Sequence, residues 1–319
     1  MKRILNYGST NIDEFFIVPH ICQSGETLLS TQHFVRAGGK GANQSVALAK
    51  AGCKVYHAGV MGSDAQWVYK TMEDYGVDMT YTKVEDNQAN GRAFIQVSDE
   101  THDNCIVLFP GSNGRYTAED AKDIVNEFET GDWIIQQNEI SQGGAIMQAA
   151  ADRGLSIIFN PAPMSKTILS DFPMDKVTIL VVNEVESAEL YQAVTGESCT
   201  LAGLALATAL FQHFDHMQGL VVTLGGDGVV AKFRHHGKVR DFMVPCNKVK
   251  VKDTTAAGDT FVGYFMATFL DERLGDDFFF RVQRSLEMAN YAASLSVQEE
   301  GSMVSVPSIE QVQGLLEAK

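Results

Sequence analysis

The chain has 319 residues, 45% hydrophobic and 20% charged, which is enough apolar material for a large α/β core and too much for a disordered segment. Lys and Arg number 25 against 40 Asp and Glu, a formal charge of −15 that argues against a nucleic-acid or anionic-membrane surface. An anionic substrate must then be held by local features against that field.

The N-terminus "MKRILNYGSTNIDEFF" has too short an apolar stretch for a signal peptide or a span. "RILNYGS" reads as a first strand, with Asn11 and Asp13 at its end, followed by "GANQSVALAKAG" as a helix, "KVYHAGVMG" as a strand and "DAQWVYKTMEDYG" as a helix. Strands "DWIIQQN", "LSIIFN", "VTILVVN" and "GLVVTLG" alternate with helices from Ala118, Gly143, Glu184 and Leu201. That rhythm predicts a mainly parallel sheet covered by helices on both faces. Two stretches break it. "DEFFIVPH" with "GETLLSTQHFV", and "GRAFIQVS" with "DETHD" and "NCIVLF", read as hairpins that form a small separate sheet. "GLVVTLGGDGVVAKF" and "KVRDFMVP" give strands joined by turns, before helices at Ala256 to Leu270 and Asp277 to Val297.

The five cysteines, Cys22, Cys53, Cys105, Cys199 and Cys246, are odd in number and never form a C-x-x-C pair, as expected of reduced thiols in the cytoplasm. His213 and His216 sit three apart in a predicted helix without a partner at zinc-ligand spacing, and are read as surface residues. His235 and His236 read as a polar hairpin turn.

Four segments have the residue types that chemistry needs. "VKVKDTTAAGDTF" alternates like a strand up to Lys252, then offers small residues at 256 to 258 and Asp259 in the first turn of a helix. Free N–H groups at such a helix start form an anion site, and an acid beside them can take a proton from an incoming hydroxyl. An isolated Asp there equally serves the helix dipole. "VVTLGGDG" has a formal G-x-G-x-x-A match at Gly226, Gly228 and Ala231, but a hairpin strand follows where the dinucleotide fingerprint needs a helix. No G-x-x-x-x-G-K-[ST] occurs, so a P-loop is excluded. "RAGGKGANQ" sets three glycines, Lys40 and Asn43 at a helix entry, a set suited to a polyhydroxylated ligand or to a plain turn and cap. "LVVNEVESAEL" puts Asn183 and Glu186 beyond a buried strand, where they suit either a water shell on Mg²⁺ or a capping box.

In this order, "GSTNID", "GGKGANQ", "NPAP", "NEVE", "TLGGDG", "DTTAAGDTF" and the closing "SVP" resemble the ribokinase-like branch of the PfkB carbohydrate kinase family, from Arg3 to Pro307. The resemblance implies a three-layer α/β/α sandwich with a mainly parallel sheet, a single kinase domain over 1–319, and a β-lid from about 13–36 and 90–110 that often forms a dimer clasp. It makes Asp259 the general base, with Ala256, Ala257 and Gly258 as the anion hole. Asn11, Asp13, Gly39, Lys40, Asn43 and Glu139 match sugar-binding positions, with Ala93 and Ile95 reaching toward the sugar. Thr223, Gly225 and Gly228 match the nucleotide loop, Asn183 and Glu186 the metal-phosphate region, and Asn290 the adenine pocket. Asp253, Thr255, Ser296, Glu299, Gly301 and Ser305 match the loops around an activating monovalent cation, usually potassium, through carbonyls for the most part.

The implied activity is transfer of the ATP γ-phosphate to a sugar hydroxyl with Mg²⁺, D-ribose being the first acceptor to test. Deoxyribose, a ketohexose, a keto-deoxy acid and a nucleoside follow. A sensor that keeps the fold without turnover is the other class, and it would be expected to have lost Asp259 or Gly258. The chain departs from the pattern at "CQSGET", at Asn138 and at Asn290, and in its aromatic lid residues Phe15 and Phe16.

Overall fold

The computed structural model describes residues 2–101 and 103–317. Along the chain, β1 (Ile4–Tyr7), β2 (Asn11–Val18) and β3 (Gln32–Gly38) precede α1 (Lys40–Lys50), β4 (Val55–Gly62), α2 (Gln66–Asp74) and β5 (Asp78–Glu85). Next come β6 (Gly91–Ser98), β7 (Asn104–Phe109), α3 (Ala118–Asn126), β8 (Trp133–Gln136), α4 (Gly143–Arg153), β9 (Ser156–Phe159) and α5 (Ile168–Asp171). The second half runs β10 (Ile179–Asn183), α6 (Glu184–Thr195), α7 (Gly203–His213), β11 (Gly219–Thr223), β12 (Val229–His235) and β13 (Lys238–Val244). Helices α8 (Ala257–Phe269), α9 (Phe278–Ser296) and α10 (Ile309–Glu317) close it.

Among the described residues, nine strands form one sheet in the order β13-β12-β11-β10-β9-β8-β1-β4-β5, parallel from β5 to β11 and antiparallel at β12 and β13. The continuous apolar runs of β8 to β11 suit strands covered on both faces, and two separate cores confirm it. One core packs α1, α8 and α9 against the sheet, and the other packs α3, α4, α6 and α7 against the opposite face. Among the described residues, no helix is long and apolar enough to cross a membrane.

The two predicted hairpins form a four-stranded sheet of their own, β3-β2-β6-β7, with β2 and β6 parallel at its centre. Phe15, Ala93 and Ile95 are its small core. Residue 102, which falls in the predicted "DETHD" turn, lies outside the described residues.

Several sequence expectations need correction. Asn11 and Asp13 begin β2 in the small sheet, because the chain leaves β1 at Tyr7 and bends at Gly8 to Thr10. The alternation before Lys252 is no strand: residues 245–256 run irregularly, Lys252 and Asp253 donating their N–H groups to Val297 O instead of to a sheet neighbour. His216 lies past the end of α7, so it shares no helix with His213, and its ring meets Met174 O at 2.8 Å. "DMTYTKVE", which the sequence reading leaves unassigned, is the edge strand β5.

Helix α1 is buried on every side from Gly41 to Leu48, wedged between the sheet and α8. The wedge is tight because a Cβ added at Gly263 of α8 would lie 2.4 Å from Ala47 Cβ and 3.0 Å from the α1 backbone. Backbone cannot yield as a flexible side-chain end does. Gly263→Ala is therefore expected to lower unfolding free energy by about 1–3 kcal/mol, read as a lower urea midpoint at unchanged slope. A wild-type midpoint would mean that the two helices tolerate separation.

Candidate active site

The site lies beyond the C-terminal ends of the parallel strands, where β1, β8, β9, β10 and β11 deliver Ser9, Glu139, Asn160, Asn183 and Thr223. Helix α8 points its N-terminus at the same place. Ala256 precedes it at φ 58, a left-handed conformation uncommon for a residue with a Cβ, and this turn swings the irregular segment into the helix. Ala257 N–H is taken by Thr254 O and Thr260 N–H by Ala256 O, leaving the N–H groups of Gly258 and Asp259 without a backbone acceptor in that turn.

Asp259 is buried, and each of its oxygens accepts one amide: Oδ2 from Asn43 Nδ2 at 3.0 Å and Oδ1 from Gln44 Nε2 at 2.9 Å. Around it stand the other predicted acceptor residues. Glu139 Oε2 accepts from Ser9 Oγ at 2.6 Å and from the backbone N–H of Lys40 at 2.9 Å. Asn11 is buried, and its Oδ1 accepts from Asn113 Nδ2 at 2.8 Å. Gly39 adopts φ 92, and a Cβ there would lie 2.8 Å from Asn11 N, so the glycine pair brings the entry to α1 against β2.

Charge is concentrated at this point. Burial pushes the Asp13 carboxyl up to about 7, helped by the negative charges of Glu139 and Asp259 and opposed by Lys40. Burial lowers the Lys40 ammonium, but Asp259, Glu139, Glu186 and Asp13 together hold it above its ordinary value. Glu186 is raised by burial, against the pull of the Asn183 N–H and of Lys40.

Two cavities meet here. One, of about 240 Å³, is lined by Lys40, Asn160, Asn183, Glu186, Gly258 and Asp259. The other, of about 470 Å³, runs past Gly225 and Gly228 to Asn290, along the apolar side chains of Val251, Phe261 and Val297. Thr223, Thr254 and Gly258 line both. A third hollow, of about 360 Å³, opens beside Asn11 and Glu139 under the end of β7. Asn290 Nδ2 donates to Pro245 O at 2.7 Å, which fixes its amide at the wall of the larger cavity.

Asn183 and Glu186 do form a complete capping box: Glu186 N–H reaches Asn183 Oδ1 at 2.8 Å and Asn183 N–H reaches Glu186 Oε2 at 2.9 Å. Both residues nevertheless line the smaller cavity, so capping and an exposed oxygen coexist. Of the residues matched to a monovalent cation, Asp253 gathers two loops by accepting from Thr255 N at 2.8 Å and Gly301 N at 2.9 Å. The hydroxyls of Ser296 and Ser305 donate to Ala293 O and Ser302 O, and the exposed Glu299 carboxylate turns to Lys252 at 3.8 Å.

Sequence reasoning missed Gln44, Ser9, Asn113 and the use made of Asn160. Gln44 had a readable signal: "NQS" puts three polar residues in succession in a helix whose other residues, apart from the lysines at its two ends, are small or apolar, and three successive positions span too wide an arc to share one solvent face.

A model of the pfkB family carbohydrate kinases matches residues 1–309. The ribokinase of Haemophilus influenzae is 32% identical over 322 residues, covering 99% of each chain. That of Schizosaccharomyces pombe is 32% identical over 330 residues, covering 100% of this chain and 99% of the other. Among solved structures, the ribokinase of Cryptococcus neoformans var. grubii serotype A in complex with ADP matches with a TM-score of 0.81 at 34% identity, over 99% of this chain and 100% of that one. The ribokinase of Arabidopsis thaliana complexed with ribose and ATP matches with a TM-score of 0.81 at 25% identity, over 99% of both chains.

Asp13 gives a test of the electrostatics. An acid whose folded value lies above its unfolded value binds more protons when folded, so stability falls as pH rises from 3.8 to about 7 and levels off beyond. Asp13→Asn removes that dependence. Its gain in unfolding free energy over wild type is expected to grow between pH 5 and pH 7, by at most about 1.4 kcal/mol per pH unit, and to stay flat to pH 8.5. A difference independent of pH across pH 5 to 7 would show that Asp13 titrates normally.

Proposed function

The chain belongs to the pfkB family of carbohydrate kinases and is a phosphotransferase with an alcohol acceptor, and from that premise we propose that it transfers the γ-phosphate of ATP to a hydroxyl of D-ribose. The observation that carries this reading is the meeting of the two cavities at the start of α8, with Gly258 lining both and Asp259 beside it in the smaller one. The long cavity, with apolar walls at its far end, suits a nucleotide whose phosphates arrive at Gly258, and the polar groups of Asn11, Asp13, Lys40, Asn43 and Glu139 suit a polyol. Ribose as the acceptor follows from the relatives, which are ribokinases, one of them bound to ribose and ATP.

In this reading the acceptor hydroxyl gives its proton to Asp259 while its oxygen bonds to the γ-phosphorus and the bond to the β–γ bridging oxygen breaks, releasing ADP. In the turn Ala256, Ala257 and Gly258 matched to the anion hole, the Ala257 N–H is already spent on Thr254 O, so the free N–H groups of Gly258 and Asp259, with the Lys40 ammonium, stabilise the transferred charge. Mg²⁺ supplies further neutralisation of the phosphates when bound. The Glu186 carboxylate fits an outer position for it, since the capping box takes one oxygen and the side chain lines the phosphate cavity. For potassium, the loops tied by Asp253 fit a site built from backbone carbonyls, because the side chains of Ser296, Ser305 and Glu299 are engaged elsewhere.

The small sheet is the lid in this proposal. Its edge strand β7 is exposed throughout, with Ile106, Val107, Leu108 and Phe109 all 46–60% accessible, and an apolar open edge of this kind fits a second copy of the chain. Five free cysteines and a reaction fed by ATP fit the cytoplasm.

ADP release by the purified protein is expected with MgATP and D-ribose, more weakly with 2-deoxyribose, fructose, 2-keto-3-deoxygluconate or adenosine, and not without an acceptor. A preference for another acceptor would reassign the substrate, and no acceptor-dependent release with ATP bound would leave a sensor. Potassium is expected to raise the rate over sodium, and equal rates would remove the cation site. Asp259→Asn is expected to lower turnover by about 10²- to 10⁴-fold. Sedimentation is expected to give a dimer that Val107→Asp dissociates; a monomeric wild type would refute the clasp.

A further inference from the structure

Gln44 is a buried residue that the catalytic scheme above does not use, and every polar atom of its amide is committed. Its Nε2 donates to Asp259 Oδ1 at 2.9 Å and to Asn160 Oδ1 at 3.1 Å, and its Oε1 accepts from Gln137 Nε2 at 2.7 Å. Gln137 in turn donates to Asn6 Oδ1 at 3.1 Å, and Asn6 Nδ2 donates to Gly41 O at 2.8 Å and Ser45 Oγ at 2.9 Å. Ser45 Oγ pairs with His57 Nδ1 at 2.9 Å. All of these groups are at most 1% exposed, apart from Asn160 and Asp259, which are 8% and 7% exposed.

The Gln44 amide has only one satisfactory orientation, whereas Gln137 Oε1 is buried without a partner. Turning the Gln44 amide over would set its carbonyl oxygen against the Asp259 carboxylate and its NH₂ against the NH₂ of Gln137. The network is anchored on a neutral group, since burial lowers His57 to about 3. Asn43 differs. Its Nδ2 touches Asp259 Oδ2, but its buried Oδ1 has no partner. That amide is therefore half engaged, as suits a residue whose bonds change when a polyol enters, whereas Gln44 has nothing left to offer a ligand.

We propose that Gln44 is the positioning residue of Asp259, holding Oδ1 permanently so that Oδ2 is the atom that receives the hydroxyl proton. The inference rests on Asp259 being the base. Gln44 fixes the carboxylate plane through the rigid chain to Gln137 and Asn6. Asn43 covers Oδ2 until the acceptor hydroxyl takes that place. The charged groups facing Asp259 are Lys40 from α1, Asp13 from β2, Glu139 beyond β8 and Glu186 from α6, and all remain when Gln44 is changed.

The experiment compares Gln44→Met, Gln137→Met and Asp259→Asn with wild type, reading kcat across pH at saturating D-ribose and MgATP, ribose binding by calorimetry, and thermal midpoints. Gln44→Met is expected to lose about 10²-fold in kcat with ribose affinity little changed. Its acid limb in kcat should move up by about one pH unit, because the carboxylate loses a donor. Gln137→Met should move both readouts the same way by less. An unmoved acid limb, or a kcat within about twofold of wild type, overturns the proposal. So does a kcat loss matched by equal loss of ribose binding and thermal midpoint. If Gln44→Met does not fold, Gln44→Glu keeps the shape and sets a second acid against Oδ1; an unmoved acid limb there overturns it equally. Near-normal turnover of Asp259→Asn would instead strike the assignment of the base, a separate failure visible without any Gln44 variant.

Discussion

The contact on which the site depends is the close approach of α1 and α8 at Gly263 and Ala47. One turn earlier on each helix stand Asp259 and Asn43, joined at 3.0 Å. Asp259 and its amide partner are thus the end of a packing contact, and the distance between them is tied to the absence of a side chain at position 263. "GGKGAN" and "DTTAAGD" lie far apart in sequence because they are the N-terminal entries of two helices that run side by side. Each entry needs its own irregular lead: Gly39 at φ 92 for α1, and Ala256 at φ 58 for α8.

The second constraint is charge. A chain of formal charge −15 gathers Asp13, Glu139, Glu186 and Asp259 around one ammonium, Lys40, and in the proposed reaction it would also have to admit a polyanion. The arrangement works because the groups that hold Asp259 are neutral. A lysine in place of Gln44 would stabilise the carboxylate more strongly and make it a poorer proton acceptor. An apolar residue would leave the carboxylate unfixed and a buried oxygen unpaired. An amide lies between these limits, and the same residue type recurs at Asn6, Asn43, Gln137 and Asn160, so that geometry is set by hydrogen bonds and the net charge is left to Lys40 and the incoming ligands.

The sequence made some of this legible and hid the rest for physical reasons. Strands such as "ILVV" announced the parallel sheet because burial on both faces demands unbroken apolar runs, and the helix starts at Asn183 and Ala256 were marked by a cap and by small residues. The hairpins were readable for the same reason, their polar turns standing between alternating runs. "VKVKDTT" misled because alternation also occurs in an extended loop, here one whose N–H groups pair with Val297 O across the end of α9. Asn11 and Asp13 were placed on the wrong strand because the bend at Gly8 to Thr10 is only three residues long. Gln44 escaped notice because its role depends on Gln137 and Asn160, which lie in other parts of the chain and meet it only when β8 and β9 are neighbours.

The small sheet brings the last element into the same contact chain. Four strands around Phe15, Ala93 and Ile95 have too little core to hold a position unaided, so their placement must come from the larger unit. Arg36 of β3 supplies it: the guanidinium lies over the rings of Phe15 and Phe34 and faces the Asp253 carboxylate at 3.7 Å, while Ser302 Oγ donates to Ala37 O at 2.5 Å. Asp253 is the residue that receives Thr255 N–H and Gly301 N–H, two residues before Thr255 leads into the left-handed turn at Ala256. The small sheet that carries Asp13 and the turn that leads into α8 therefore converge on one carboxylate. Loss of the Arg36 charge would weaken both at once, because the residue that seats the small sheet also faces the group that orders the approach to Asp259.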